Sequence, residues 1–556
     1  MRSRLQATRP PALALMVTLA AVCFSGEAAD ARPRLLFTPQ DIPALRAKVA
    51  DGGDDALAYT IILKRWPEYQ TAPDESLLAG TMEGTNVINE LGLMAHLENP
   101  GTAQAQRGRQ LVLHVTRTRD VDNYEFGSSL RLRTLAFGYD MVMGGATVAE
   151  EAEVRSEIQS YLNYMPQSYV FYRYLYNPYT SNKAMMIGSA MGLAVIAIWD
   201  DVLPSERPAL VSALQFADQL VAACRDEILA SDGAYREGVL YGAWTMRMAI
   251  PYFEARRRFD GIDLAADPRI ERMASWLAYE VLPEGGGREN NLGANSWIVH
   301  SLAVHSTYLD WAQTRYSSGL ARWLYRHTVG EFGWDAGDVM DRTATVLWSR
   351  SLPVPDPGTV LPHGALFPNR GIYFYRSAWK AGATGDEILF SLQAGRFYGG
   401  HAQEDQGQFT LYAYGDRFVV DNGAANPTQL PKDTQSHNLI LIDGAGQHNA
   451  GASIGTDARF TSTLLSPFCD YIHADLDSAY ETHSPFNNPD QPFPGTDWSW
   501  GYEGGTSLLR AARSVVAIKG AEAPAWFFLA DEFQKDDVAH AYEWLLHTDS
   551  TNAVAC

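Results

Sequence analysis

The chain has 556 residues, more than one ordinary hydrophobic core can hold, so two or more domains are expected. At 46% hydrophobic and 20% charged residues, without biased tracts, its composition is that of a soluble globular protein. A formal net charge of −21 speaks against nucleic acid and anionic membrane surfaces as partners, and a polyanionic substrate would need a locally basic groove.

The first residues read as an export signal. Met1 to Arg9 is basic, and Ala12 to Phe24 is an apolar run too short to span a bilayer. Ala29-Asp-Ala31 offers a cleavage site, so residues 1–31 are expected to be removed and the protein to be secreted or periplasmic. No later segment reads as a membrane span. Cys224, Cys469 and Cys556 remain, too few and too scattered for a disulfide framework or a zinc site.

The mature chain opens on Arg32-Pro-Arg-Leu-Leu-Phe-Thr38-Pro-Gln-Asp41, where Thr38, Pro39 and Asp41 predict a helix start. From there to about residue 330 the apolar periodicity is helical, as in Asn86 to Leu97, Glu151 to Tyr164, Pro208 to Leu229 and Ile270 to Val281. Short Gly, Pro and Asp turns join these helices, and repeated hairpins of this kind close most simply into a ring or stack of helix pairs. Residues 346–370 include Leu352-Pro-Val-Pro-Asp-Pro-Gly358 and read as a linker. Beyond it strands dominate, among them Gly371 to Arg376, Glu387 to Leu392, Phe409 to Ala413, Ser514 to Ile518 and Trp526 to Ala530. They predict an antiparallel sheet or sandwich over 371–556.

The densest cluster of reactive side chains runs from Phe397 to Ile442. His401 follows Gly399-Gly400, Gln403 and Asp405 follow it, Asp421 ends a strand, and Ser436-His437-Asn438 precedes another. Such strands would present His401, Gln403, Asp421 and His437 near a common edge. A hydrogen-bonded brace between strands is the structural alternative.

Four stretches, in this order, resemble the heparinase II/III-like polysaccharide lyases and their relatives among oligo-alginate lyases and uronyl epimerases. They are the Arg32 opening, Thr180-Ser-Asn182-Lys183, Asp232-Gly-Ala-Tyr235-Arg-Glu237-Gly-Val-Leu-Tyr241, and the His401 stretch with Ser436-His437-Asn438. The resemblance implies an α+β multidomain protein, an N-terminal (α/α) toroid over 32–345 followed by an antiparallel β-sandwich. Two departures stand out: Gln403 replaces the second His of a His-x-His pattern, and Lys183 stands where several relatives have His.

For function, the resemblance implies β-elimination on a uronic-acid-containing polysaccharide or oligosaccharide. The proton at C5 is removed, the group at C4 is expelled and a 4,5-unsaturated product forms. Such chemistry needs a donor to the substrate carboxylate, plus a base and an acid within hydrogen-bond reach. Asn182, Tyr241 and His401 are the expected catalytic set. Asn182 could instead cap the following helix. Tyr241, whose phenol ordinarily ionises near pH 10, would need a cationic neighbour such as Lys183, Arg236 or Arg247. Tyr235 competes with it for that role.

Substrate contacts are expected from Glu237, Tyr235, Lys183, Arg236 and Arg376, with Asn295, Arg131 and Arg133 as lesser candidates. Gln403, Asp421 and His437 would hold one divalent ion, Mn, Ca or Zn, in a structural role. A uronyl C5-epimerase and a catalytically decayed glycan-binding protein are the alternatives. A glycoside hydrolase using Glu237 and Asp140 ranks last.

Overall fold

The computed structural model describes residues 32–78, 81–98, 101–118, 125–172, 182–284, 287–290, 292, 302–329, 341–379, 387–395, 403–421, 434–447, 458–480, 508–520 and 525–549. Six helices form an inner ring in which each packs on the next: Thr81–Leu97, Glu125–Met141, Lys183–Ile198, Val239–Asp260, Ser306–Arg315 and Arg342–Trp348. The last returns to the first and closes the ring. Helices such as Thr102–Arg117, Val148–Tyr164, Arg207–Ile228 and Pro268–Glu280 alternate with them in the chain. The helical half is therefore an (α/α) toroid.

Ring position explains composition. The Lys183–Ile198 helix is apolar on all sides because neighbours cover it throughout, and every residue from Ala184 to Ile198 is buried. The segment Lys183–Asp201 is long and apolar enough to cross a membrane, against the sequence expectation, yet it lies inside the ring. The first helix begins at Ile42 rather than beside Thr38. Asp41 is its N-cap residue, and the Thr38 N–H and hydroxyl both donate to the Asp41 carboxylate at 2.8 Å.

Two arginines considered for a basic groove serve the helices instead. Pro251 sits inside the Val239–Asp260 helix and cannot donate to the carbonyl of Arg247 one turn earlier. Buried Arg133, on the ring helix Glu125–Met141 two places earlier, donates to that carbonyl at 3.1 Å and to Met248 O at 2.9 Å. Arg131 donates to Thr118 O at 2.7 Å and to Val115 O, satisfying carbonyls at the end of the Thr102–Arg117 helix.

Strands begin at Gly364. One antiparallel sheet has the order β1 (Gly364–Phe367), β2 (Ile372–Arg376), β3 (Ile388–Gln393), β4 (Phe409–Ala413), β5 (Asp416–Val419). Strands β6 (Ile440–Ile442) and β11 (Tyr542–Trp544) pair with each other. A second antiparallel sheet runs β10 (Trp526–Gln534), β9 (Arg510–Ile518), β8 (Cys469–Asp475), β7 (Arg459–Leu465). Strands β1, β7 and β8 were not among those read from the sequence.

The first sheet is covered on both faces. Ile372, Phe374 and Leu389 join the core of the helical ring, whereas Tyr373, Tyr375 and Phe390 pack with Ile472 and Val515 of the second sheet. That is why β2 and β3 are buried at every position rather than at alternate ones. The ring and the sandwich thus share a continuous core, with Tyr279 packed among Phe367, Phe374 and Trp379.

Candidate functional site

The Asp232–Tyr241 motif is a turn that delivers one ring helix. Asp232 accepts Ala234 N at 3.1 Å and Tyr235 bridges back to Leu229, closing a small loop. Gly238 at φ 89° then launches the Val239–Asp260 helix, a conformation that penalises any side chain. Tyr241, half-buried, lies in the first turn of that helix.

Glu237 ties this turn to the start of the neighbouring ring helix. Its Oε2 accepts the backbone N–H of Asn182 at 2.7 Å and the Tyr235 hydroxyl at 3.3 Å. Tyr235 in turn shares a 2.6 Å hydrogen bond with Thr245 on the Val239–Asp260 helix. The two helix N-termini, with the positive ends of their dipoles, are thereby held side by side.

Asn182 is the N-cap residue of the Lys183–Ile198 helix, but its side chain makes no capping bond. Its backbone is helical, at φ −43° and ψ −19°, rather than extended as a capping side chain prefers. The capping alternative is therefore not what the structure has. Lys183 and Arg236 are half-buried beside this junction in sequence. Arg247 lies further along the helix and donates to Asn86 at 2.6 Å.

Three of the residues expected to contact sugar are buried. Tyr235 is 1% exposed, and burial pushes its phenol well above 10. Glu237, also 1% exposed, is committed to Asn182 and Tyr235. Arg376 bonds Glu387 and donates to Ala278 O at 3.0 Å and Val281 O at 2.6 Å, clamping β2 to the end of the Pro268–Glu280 helix. Asp140 is buried as well, accepting Arg34 N and Leu35 N at 2.9 Å. Both carboxylates of the glycosidase alternative, Glu237 and Asp140, thus accept from backbone N–H groups. His401 and Asn295 lie outside the described residues.

In the sandwich, His437 Nδ1 and Asp421 Oδ1 are 3.2 Å apart and both side chains are buried. Burial opposes the charge on His437, but Asp421, then Asp405 and Glu404, outweigh it and raise its pKa. Burial also pushes the Asp405 carboxyl up to about 6, against the pull of His437. Gln403 is buried too.

For a cation, the fitting feature is His437 Nε2, buried and without a hydrogen-bond partner among the described residues, on a ring whose Nδ1 is backed by a carboxylate. Among the described residues no three His, Cys, Asp or Glu side chains converge as a ligand group. Much of the surrounding polar run is a brace. Asn438 Nδ2 donates to Phe409 O and Val420 O, each at 2.9 Å, and the Gln447 side chain accepts from Gln406 N–H and donates to Gln406 O.

Sequence reasoning missed Arg370 and Thr245. Arg370, in the β1–β2 turn, is fully buried, and its field reaches Asp405 of the sandwich and Glu280, Arg236 and Asp232 of the helical half. Burial lowers its pKa to about 10. It stands where the two halves of the candidate site meet. Nothing in the sequence around either residue distinguishes it from other turn or helix positions.

Residues 359–555 match the sequence model described as heparinase II/III-like, C-terminal. This part of the chain is similar to the C-terminal domain of heparinase II/III-like proteins. The whole chain is similar in fold to a solved heparan sulfate lyase HepC mutant from Pedobacter heparinus, with TM-score 0.52, 15% identity and 84% of this chain covered. A structure of heparinase III gives TM-score 0.53, 12% identity and the same coverage. The match spans 64% and 65% of those two chains, less than two thirds of their length. At such identities the likeness establishes the fold: a helical toroid joined to the heparinase II/III-like sandwich. No curated protein matches the sequence.

Proposed function

We propose that this protein is an exported polysaccharide lyase that cleaves a uronic-acid-containing glycan by β-elimination. Similarity to structures named as a heparan sulfate lyase and as heparinase III makes glycosaminoglycans the first substrate class to test. The observation that carries the reading is the junction of two ring helices, where the Asn182 side chain is withheld from capping duty beside the turn that delivers Tyr241.

In this account the Asn182 amide donates to the uronate carboxylate, which gains negative charge as C5 is deprotonated. The adjacent helix N-termini add a favourable field for an anion. Tyr241 and His401 are the proton-transfer pair. One takes the C5 proton, the C5 electron pair becomes the C4=C5 double bond, and the C4–O bond breaks. The other protonates the leaving oxygen. Half-burial suits Tyr241 to this task, because the residue packs on the ring core without being sealed from solvent.

A divalent cation held by Gln403, Asp421 and His437 belongs to the proposal as a structural element of the sandwich. It supplies charge neutralisation and no step of the elimination.

The test is ultraviolet absorbance of unsaturated product during incubation with heparan sulfate, chondroitin sulfate, hyaluronan, alginate and glucuronan. A rising signal from one of them supports the lyase. Exchange at C5 in deuterated water without cleavage would replace it with an epimerase, and glycan binding without either would indicate a decayed site.

A further inference from the structure

We propose that Glu237 is a positioning residue that sets the distance between Asn182 and Tyr241, acting through the backbone of the one and the helix of the other. The inference rests on the β-elimination reading above and adds to it a reason for a buried carboxylate that no sugar can touch. A carboxylate at 1% exposure costs desolvation free energy unless specific donors hold it. Here the donors are the Asn182 N–H at 2.7 Å and the Tyr235 hydroxyl at 3.3 Å. The first spans 55 positions of sequence and reaches the residue that begins the next ring helix.

That contact accounts for an anomaly in Asn182. An N-cap residue ordinarily takes extended backbone angles, and its side chain accepts a bond from the second or third helical N–H. Asn182 has helical angles instead, and its own N–H is drawn to Glu237. Glu237 thus holds the residue from outside the helix and frees its amide from the cap.

The other end of the relay fixes where that amide stands. Tyr235, buried and 2.6 Å from Thr245, links Glu237 to the Val239–Asp260 helix. Thr245 lies four residues after Tyr241 on that helix and so shares its face. The chain Thr245–Tyr235–Glu237–Asn182 therefore connects the helix carrying the phenol to the residue carrying the amide. A displacement of about 1 Å between two such groups is enough to cost about a hundredfold in rate.

The experiment uses the full chain and the uronate polymer that the wild type cleaves fastest. Glu237→Met keeps the volume and removes the acceptor. Its kcat is expected to fall about a hundredfold with KM within about twofold, and Glu237→Gln, which restores an acceptor, to return within about tenfold of wild type. Asn182→Ala combined with Glu237→Met is expected to be no slower than Asn182→Ala alone by more than about threefold, because both remove one function. Exchange of the Asn182 backbone amide with deuterium is expected to accelerate at least about tenfold in Glu237→Met.

A rise in KM at constant kcat would make Glu237 a sugar contact and overturn the proposal, as would multiplying losses in the double variant. Unchanged Asn182 exchange would overturn the contact itself. Should Glu237→Met fail to fold, Thr245→Val tests the far end of the relay, with an expected loss of about threefold to tenfold in kcat and none in KM. A wild type inert on every polymer would refute the elimination reading, while the exchange measurement would still decide whether Glu237 fixes Asn182.

Discussion

Two residues from one stretch of sequence end in opposite circumstances. Tyr235 is sealed behind Thr245 and Glu237, with burial holding its phenol neutral, whereas Tyr241 six positions later keeps partial access to solvent. Burial thus supports proposing Tyr241 rather than Tyr235 for proton transfer. Asn182 is the most sensitive position in this account. Asn182→Ala removes the proposed donor to the charge-bearing carboxylate, so kcat should fall about 10²–10³-fold while the unfolding midpoint moves little. A change in KM alone would assign Asn182 to ground-state binding instead.

Among elements, the Val239–Asp260 helix shows a local rule broken and repaired. Pro251 removes one rung of the helix ladder, and the Arg133 guanidinium supplies the missing donor from the Glu125–Met141 ring helix. Arg133→Met should destabilise the protein by about 2–4 kcal/mol, because buried carbonyls lose their partner. Adding Pro251→Ala should recover part of that, since the alanine N–H can bond Arg247 O again. Denaturant unfolding of the single and double variants checks this, and strict additivity would contradict it.

The helices themselves were legible because 3.6-residue periodicity survives single irregularities. The partners of Arg131 and Arg133 were not, because an arginine that caps carbonyls and one that faces solvent look alike in sequence. Strands β2 and β3 were legible as apolar runs, although only the structure shows that their two faces serve different cores. The polar run Gln403 to Gln408 misled in part. The side-chain oxygens of Gln406 and Gln408 accept from backbone N–H groups of Gly395 and Asn438, and His437 is hydrogen-bonded to Asp421. Metal analysis of purified protein should find about one equivalent of Mn, Ca or Zn, and chelation should lower the unfolding midpoint. A metal-free protein with an unchanged midpoint would identify the cluster as a hydrogen-bonded brace.

Across the whole molecule, the toroid and the sandwich meet through buried groups that titrate far from their ordinary values. Glu280, at the end of the Pro268–Glu280 helix, accepts from Trp276 at 2.9 Å, and burial raises its carboxyl to about 8 despite Arg370. Nearby Glu289 is raised as well, by burial and by Glu280. Asn290 then bonds Ser391 and Thr410 of the first sheet, each at 3.0 Å.

A raised folded pKa contributes stability that is complete below the unfolded value, near 4.3, and lost as pH rises through the folded one. The unfolding free energy should therefore decline between about pH 5 and pH 8. Glu280→Gln, which stays neutral and keeps an acceptor for Trp276, should flatten that decline by about 2–4 kcal/mol. A variant with the wild-type slope would remove Glu280 from the account. The fold at this scale was readable from motif order and from the helical-to-strand change near residue 350. The interface was not, because pairing of Glu280, Arg370 and Asn290 depends on residues far apart in the chain.

The central claim is elimination at a uronate by the Asn182–Tyr241–His401 set, and ultraviolet absorbance of the reaction tests it most directly. Wild type incubated with heparan sulfate and the other uronate polymers should generate unsaturated product from at least one. Tyr241→Phe and His401→Ala, each folded to the wild-type midpoint, should lower that rate at least about a thousandfold. Full activity in either variant, or no unsaturated product from any polymer, would contradict the account.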